Sequence, residues 1–226
     1  MSDYTLVIGN KKYSSWSLRP WIWMRHARIP FREKRIALFT DTYREELRPY
    51  RSHHRVPVLV DGDVQVWETL AILEYLAEHS AHAHAHAWPE HPAARAVARS
   101  ASMEMHAGFK TMRRAFPMNC SKRFPGFVYG DEVQDDIDRV VELWELCRGM
   151  SYDQGNWLFG RFCIVDAMYV PVALRFHGYD VALSDVAQAY VDTVLSDGHV
   201  RDWIRTGQAE KEVIEGNEIQ APSSPF

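Results

Sequence analysis

Cysteine is scarce in this chain, and its three copies cannot all pair with one another. Cys120, Cys147 and Cys163 show no C-x-x-C spacing, which argues against a disulfide framework and against a structural zinc site. Reduced thiols and a cytoplasmic location are the expectation. Long apolar runs are missing too. None approaches the ~18 residues of a membrane helix, so no membrane partner is expected. The opening "MSDYTLVIGN" lacks the basic and apolar regions of a secretory signal. Basic excess is absent: the net charge is −4, which excludes the electrostatic footprint of a nucleic-acid binder. What remains is ordinary for a soluble globular chain of 226 residues, with 46% apolar and 25% charged side chains. That length suits one large domain or two small ones.

The first 80 residues mix strand and helix signals. "YTLVIG" reads as a short buried strand, and a helix is expected from Ser17 to about Arg28. Pro20 is tolerable there if it falls in the first turn. "FREKRIA" alternates well enough for a second strand, and "DTYREELRPY" is a helix opened by a capping Asp41. "VPVLVDGDVQVWE" gives two β-rich runs around Asp61-Gly62-Asp63, a tight hairpin. "TLAILEYLAEH" follows as a helix with Leu70, Leu73 and Leu76 on one face.

Composition shifts at "HSAHAHAHAWPEHP", which reads as a linker over residues 81–92. Its alternating histidines have no cysteine or carboxylate spacing for a closed metal site, and no metal is expected. Beyond Pro92 strand signals are rare. "AARAVARSASMEMHAGFKTMRRAF" reads as one long helix and "DEVQDDIDRVVELWELCRGM" as another. "DAMYVPVALRFHGY" is a more apolar helix in which Pro171 lies near the first turns or makes a kink. "SDVAQAYVDTVLSD" and "HVRDWIRTGQAE" are shorter amphipathic helices, and the tail "APSSPF" is expected to be mobile. The organisation is an α/β domain over 1–80 and an all-helical domain over 93–226.

One stretch invites chemistry. "KKYSSWSLRPW" sets Ser14, Ser15 and Ser17 between a strand and a helix. Such residues often serve only as caps, with Ser17 the best placed of the three. A hydroxyl beside the positive end of a helix also suits an anion such as a thiolate.

Four motifs in order resemble cytosolic glutathione S-transferases over about residues 4 to 210. "SSWSLR" is similar to the serine motif of the zeta and tau classes, and "RVPVLVDGD" to the segment with a cis-proline and hairpin. "WETLAILEYL" is similar to the acid–hydroxyl pair opening the third helix, and "FGRFCIVDAMYVPV" to the capping-box segment of the sixth. "YSSWSLRPW" most resembles a bacterial, serine-type branch. The resemblance implies a thioredoxin-like α/β domain followed by an all-α domain, the glutathione transferase fold, and a two-fold homodimer.

It also implies glutathione as co-substrate. Ser14 would hydrogen-bond the glutathione sulfur, with Ser15 as the alternative, and Arg19 would brace the site or add positive potential. The Val56 backbone before Pro57 would pair with the cysteine backbone of glutathione. Glu68 and Thr69 would hold the γ-glutamyl end at a helix start. Arg55 or His54 would meet the glycine carboxylate. Trp16, Met105, His106, Phe109 and Arg113 are the candidates for an electrophile site, though Met105 and Phe109 equally suit a core. Two departures stand out: bulky His53-His54 before the proline, and Cys163 where the family has serine or threonine, which weakens a capping box with Asp166. The expected activity is attack of the glutathione thiolate on a small hydrophobic electrophile. A glutathione-dependent isomerase similar to maleylacetoacetate isomerase is the alternative, and a non-catalytic binding or regulatory protein of this fold is another.

Overall fold

A computed structural model describes residues 4–80, 84 and 86–226. The first elements are β1 (Thr5–Ile8), α1 (Ser15–His26), β2 (Arg32–Arg35), α2 (Tyr43–Leu47), β3 (Val58–Asp61), β4 (Val64–Trp67) and α3 (Thr69–His79). The sheet runs β2-β1-β3-β4. β1 and β2 are parallel, because α1 carries the chain back across the sheet, whereas β3 is antiparallel to both its neighbours. This is the thioredoxin-like arrangement. Gly62, at φ 56, makes the two-residue hairpin turn between β3 and β4.

The helical part comprises α4 (Pro92–Ala107), α5 (Lys110–Ala115), α6 (Asp131–Gly149), α7 (Ile164–Gly178), α8 (Asp185–Ser196) and α9 (Gly198–Gln208). A short pair, β5 (Lys122–Arg123) with β6 (Ser224–Pro225), completes it. α7 is apolar all round and therefore central: every residue from Ile164 to Phe176 is buried. α1 packs on α7, α9 and α3, so one core runs through both parts.

Several local expectations need correction. α1 begins at Ser15 rather than Ser17, so Pro20 lies beyond the first turn. Proline has no N–H to give the carbonyl four residues back. That carbonyl, on Trp16, takes the Thr69 hydroxyl instead, at 3.2 Å. Position N-cap of α2 falls to Thr42, not Asp41. The long helical pattern after Pro92 breaks at Gly108, where a Cβ would lie 2.7 Å from the Glu104 carbonyl, and at left-handed Phe109. Pro171 sits in the middle of α7. The capping box of α7 closes in both directions despite the thiol. Its firm arm is Asp166, which accepts from the Cys163 N–H at 2.9 Å and from the Leu158 N–H at 3.0 Å. The tail is docked rather than loose: β6 pairs with β5, and the Phe226 N–H donates to the Ser121 carbonyl. Of the expected linker, residues 81–83 and 85 lie outside the described residues, while 84, 86 and 87 have helical backbone.

Candidate active site

The loop from β1 to α1 is held from several sides. Asn10 Oδ1 accepts from the Leu38 N–H at 2.8 Å. The Lys11 carbonyl accepts from Trp203 Nε1 at 2.9 Å, and the Lys12 carbonyl from the Cys120 N–H at 3.0 Å. Gly207 lets α9 lie directly against this loop, since a Cβ there would stand 2.9 Å from the Lys12 nitrogen. A loop fixed this way presents Ser14 and Ser15 in one orientation.

Ser14 occupies the N-cap position of α1, yet its side chain caps nothing. Its hydroxyl donates to Ser17 Oγ at 2.8 Å, and Ser17 Oγ also accepts from the Gly9 N–H at 3.1 Å. Ser17 is therefore a fully buried tie between β1 and α1, at the third helical position. Ser15 Oγ accepts from Arg175 Nη2 at 3.2 Å. Ser14 is partly exposed and Ser15 nearly buried, and both line a cavity of about 780 Å³.

That cavity lies between the serine loop, the 38–44 segment, His53 to Val56, α5 and the 214–217 segment. Among the described residues, five arginines line it, Arg44, Arg55, Arg113, Arg114 and Arg175, and no aspartate or glutamate does. Arg175 is buried and bonds only neutral oxygens: the carbonyls of Phe116 (2.7 Å) and Pro171 (3.0 Å), and Ser15 Oγ. Burial, followed by the charge of Arg113, pushes its pKa down to about 10, which leaves it cationic at neutral pH. Burial lowers Arg113 as well, with Asp136 opposing. Arg19 does not reach the cavity. It is fully buried, donates to the carbonyls of Met168 and Ser15, and lies over the Trp16 ring at 4.3 Å. Desolvation, Arg175 and Arg113 all hold its pKa well below the usual guanidinium range. It therefore contacts both Trp16 and Ser15 from the buried side. Arg113 flanks the same Trp16 ring at 5.3 Å.

A smaller cavity of about 180 Å³ adjoins, lined by Trp16, Arg55, Val56, Pro57, Glu68, Thr69 and His106 among others. The Val56–Pro57 bond is cis. Glu68 has φ 67, an uncommon conformation for a residue with a side chain, and it precedes the first N–H groups of α3. His106 Nε2 stands 3.9 Å from Glu68 Oε2, and its ring meets Trp16 edge-on at 5.4 Å. Trp16, Arg55 and Val56 line both cavities.

The expected residues sort as follows. Ser14, Ser15, Trp16, Arg113, His54, Arg55 and Val56 line the larger cavity. Pro57, Glu68, Thr69 and His106 line the smaller, which puts His106 beside the Glu68–Thr69 pair. Met105 and Phe109 line neither cavity. Both are buried in the core, Met105 because its face of α4 is the apolar one and Phe109 because it turns inward at the helix break. Arg175, Tyr13 and the 214–217 segment were missed. Among the described residues, no group of three or more His, Cys, Asp or Glu is placed to hold a metal ion, and no helix is long and apolar enough to cross a membrane.

Residues 13–79 match the family model of the glutathione S-transferase N-terminal domain. The described residues have the glutathione transferase fold. The chain is similar to a glutathione transferase homolog from Burkholderia gl BGR1 with bound glutathione (TM-score 0.67, 19% identity, 92% of this chain and 100% of that one). It is also similar to the theta-class enzyme of Xanthomonas axonopodis pv. citri with glutathione bound (TM-score 0.63, 20% identity, 92% and 100%). A tau-class enzyme from mango, Mangifera indica, gives a TM-score of 0.64 at 16% identity over 89% and 92%. In sequence, 52 residues are 44% identical to the dichloromethane dehalogenase of Methylorubrum extorquens, a match spanning 22% of this chain and 18% of that protein. Residues 13–79 are thus assigned to the glutathione S-transferase N-terminal domain, and the structural likeness extends the fold to the helical part.

Proposed function

We propose that this chain is a serine-type glutathione transferase. The observation that carries the reading is the junction of the two cavities at Trp16, Arg55 and Val56, with serine hydroxyls and arginines on one side and the Glu68–Thr69 pair on the other. Glutathione spans the junction in this reading. Its γ-glutamyl carboxylate meets the free N–H groups at the start of α3, and Glu68 pairs with its ammonium. Its cysteine backbone pairs with Val56, and its glycine carboxylate meets Arg55 or His54. The sulfur then lies near Ser14 and Ser15.

A free thiol has a pKa near ~8.5 and is mostly protonated at neutral pH. A serine O–H donated to sulfur, the N-terminus of α1 and the charge of Arg175 all favour the thiolate. The thiol proton passes to solvent. The thiolate then attacks an electrophilic carbon; a sulfur–carbon bond forms, and the leaving group departs with its bonding electrons. The partial match to a dichloromethane dehalogenase supports a substitution of this kind.

One observation favours a second reading. Among the described residues, Arg113 and Arg175 hydrogen-bond only neutral oxygens as they face the cavity, which suits a substrate carrying a carboxylate. A glutathione-dependent isomerase would add the thiolate to such a substrate and later expel it, returning the glutathione unchanged. As in the implied family, the protein would act as a homodimer in the cytoplasm; exposed Val64 and Trp67 on the edge strand β4 offer apolar surface for a second subunit.

Isothermal titration with glutathione, with thiolate absorbance followed across pH, tests the reading. Saturable binding with a bound-thiol pKa below ~8.5 is expected. Absence of binding at millimolar glutathione rejects both enzyme readings and leaves a binding protein of this fold.

A further inference from the structure

Residues 210–218 run along the larger cavity, which Ile214, Gly216 and Asn217 line, and are tied down at both ends. At the first end, Glu210 accepts from two consecutive N–H groups of the serine loop, Lys11 at 2.8 Å and Lys12 at 3.1 Å. Lys12 Nζ also donates to the Glu210 carbonyl at 2.8 Å. Glu212 then pairs with Arg35 at 2.8 Å. At the far end, Glu218 accepts from Tyr13 Oη at 2.6 Å, Lys122 Nζ at 2.6 Å and Asn119 Nδ2 at 3.2 Å. Tyr13 is the residue immediately before Ser14.

Between the ties the chain makes a 3-10 turn at Glu215–Asn217, and Ile214, Gly216 and Asn217 face the cavity. Ile214 is buried. Among the described residues the Asn217 side-chain amide makes no hydrogen bond. The strap therefore offers the cavity one apolar surface and one uncommitted amide.

We propose that this strap sets electrophile specificity: Ile214 and Asn217 are the surface that the transferred group meets, and Glu218 is a positioning residue that fixes the serine loop through Tyr13. The substrate class that fits has an apolar body against Ile214 and a hydrogen-bonding group, such as a carbonyl or nitro oxygen, within reach of Asn217. The inference rests on the glutathione reading above for the identity of the nucleophile. It does not rest on that reading for the coupling of Glu218 to the loop.

The test is titration calorimetry with glutathione, S-methylglutathione and S-hexylglutathione, together with amide exchange over residues 11–14. Wild type should bind the hexyl conjugate more tightly than the methyl one. Ile214→Ala should leave glutathione within about 2-fold and weaken the hexyl conjugate by about 5–10-fold. Glu218→Gln keeps the shape and removes the charge. It should raise amide exchange over 11–14 and raise the bound-thiol pKa, while Glu218→Asp restores both in part. An Ile214→Ala protein that shifts all three ligands equally, or none, overturns the specificity role. A Glu218→Gln protein with wild-type exchange and thiol pKa overturns the positioning role. If wild type binds none of the three ligands, the glutathione reading and the specificity role fall together; exchange over 11–14 then still decides the coupling.

Discussion

Ser14 and Ser15 differ in what already holds them. Ser14 bonds to Ser17, whose oxygen is fixed by the Gly9 N–H. Two hydroxyls can reverse their roles, so Ser17 can donate to Ser14 while Ser14 turns its proton to an incoming sulfur. Ser15 has an oxygen occupied by a guanidinium and its own proton unspent. Exposure favours Ser14. Ser14→Ala should return the bound-thiol pKa toward ~8.5 and lower kcat/KM by about 10–100-fold. Ser15→Ala should act more weakly; thiolate absorbance against pH in both variants checks this, and a larger effect at Ser15 reverses the assignment. Arg175 is a second residue-scale case. Arg175→Lys keeps the charge but loses the planar fork, and should preserve most of the thiol pKa shift. Arg175→Met should reduce that shift and cost a carboxylate-bearing electrophile about tenfold more in kcat/KM than a neutral one. Equal losses for the two electrophiles would show that Arg175 only packs. Nothing local distinguishes Arg175 in "VALRFHG". Its meaning comes from Ser15, which is distant in sequence, so the sequence could not flag it.

Elements were legible where their cause is local. The hairpin at Asp61-Gly62-Asp63, the apolar α7 and the period of α6 follow from neighbours within a few residues. Gly108 carried a readable break that the continuous helical pattern obscured. The strap and β6 were not readable, because "APSSPF" has the composition of a loose end and its order comes from Lys122 and Arg123 on a distant segment. The strap makes a pH prediction. At Glu218, burial opposes ionisation, but hydrogen bonds from Lys122 and Tyr13 outweigh it and hold the carboxyl below its usual range. At Glu212, the hydrogen bond from Arg35 does the same. A carboxyl with a lowered folded pKa contributes stability that is fully present above its unfolded pKa, near ~4.3. That contribution drains away as pH falls through the folded value. Tm should therefore drop below about pH 4.5, and Glu218→Gln should flatten part of the drop. A Tm profile identical to that of wild type would rule out this anchorage.

At the scale of the whole molecule, an acidic chain of net charge −4 keeps, among the described residues, five arginines and no acid around one cavity. Low-dielectric walls focus such a field on anions. Glutathione affinity should fall by several-fold between about 0.05 and 0.5 M salt, where the Debye length shrinks from above ~10 Å toward ~4 Å. A salt-independent Kd, measured by the same titration, would show that the arginines do not act on the ligand. The two-part architecture was visible from the change in strand content at Pro92. The cavity was not, since its walls come from segments that only the fold brings together.

The tie between Lys11 and Glu210, and that between Tyr13 and Glu218, close loops of 199 and 205 residues. Contacts so remote form late, because chain entropy is lost before they repay it. During synthesis the α/β part emerges before residues 210–218, and its serine loop waits for that distant segment. Until then the Lys11 and Lys12 N–H groups have water in place of Glu210. The sheet can thus be in place while the loop that carries Ser14 and Ser15 still lacks the carboxylates of Glu210 and Glu218 that fix it.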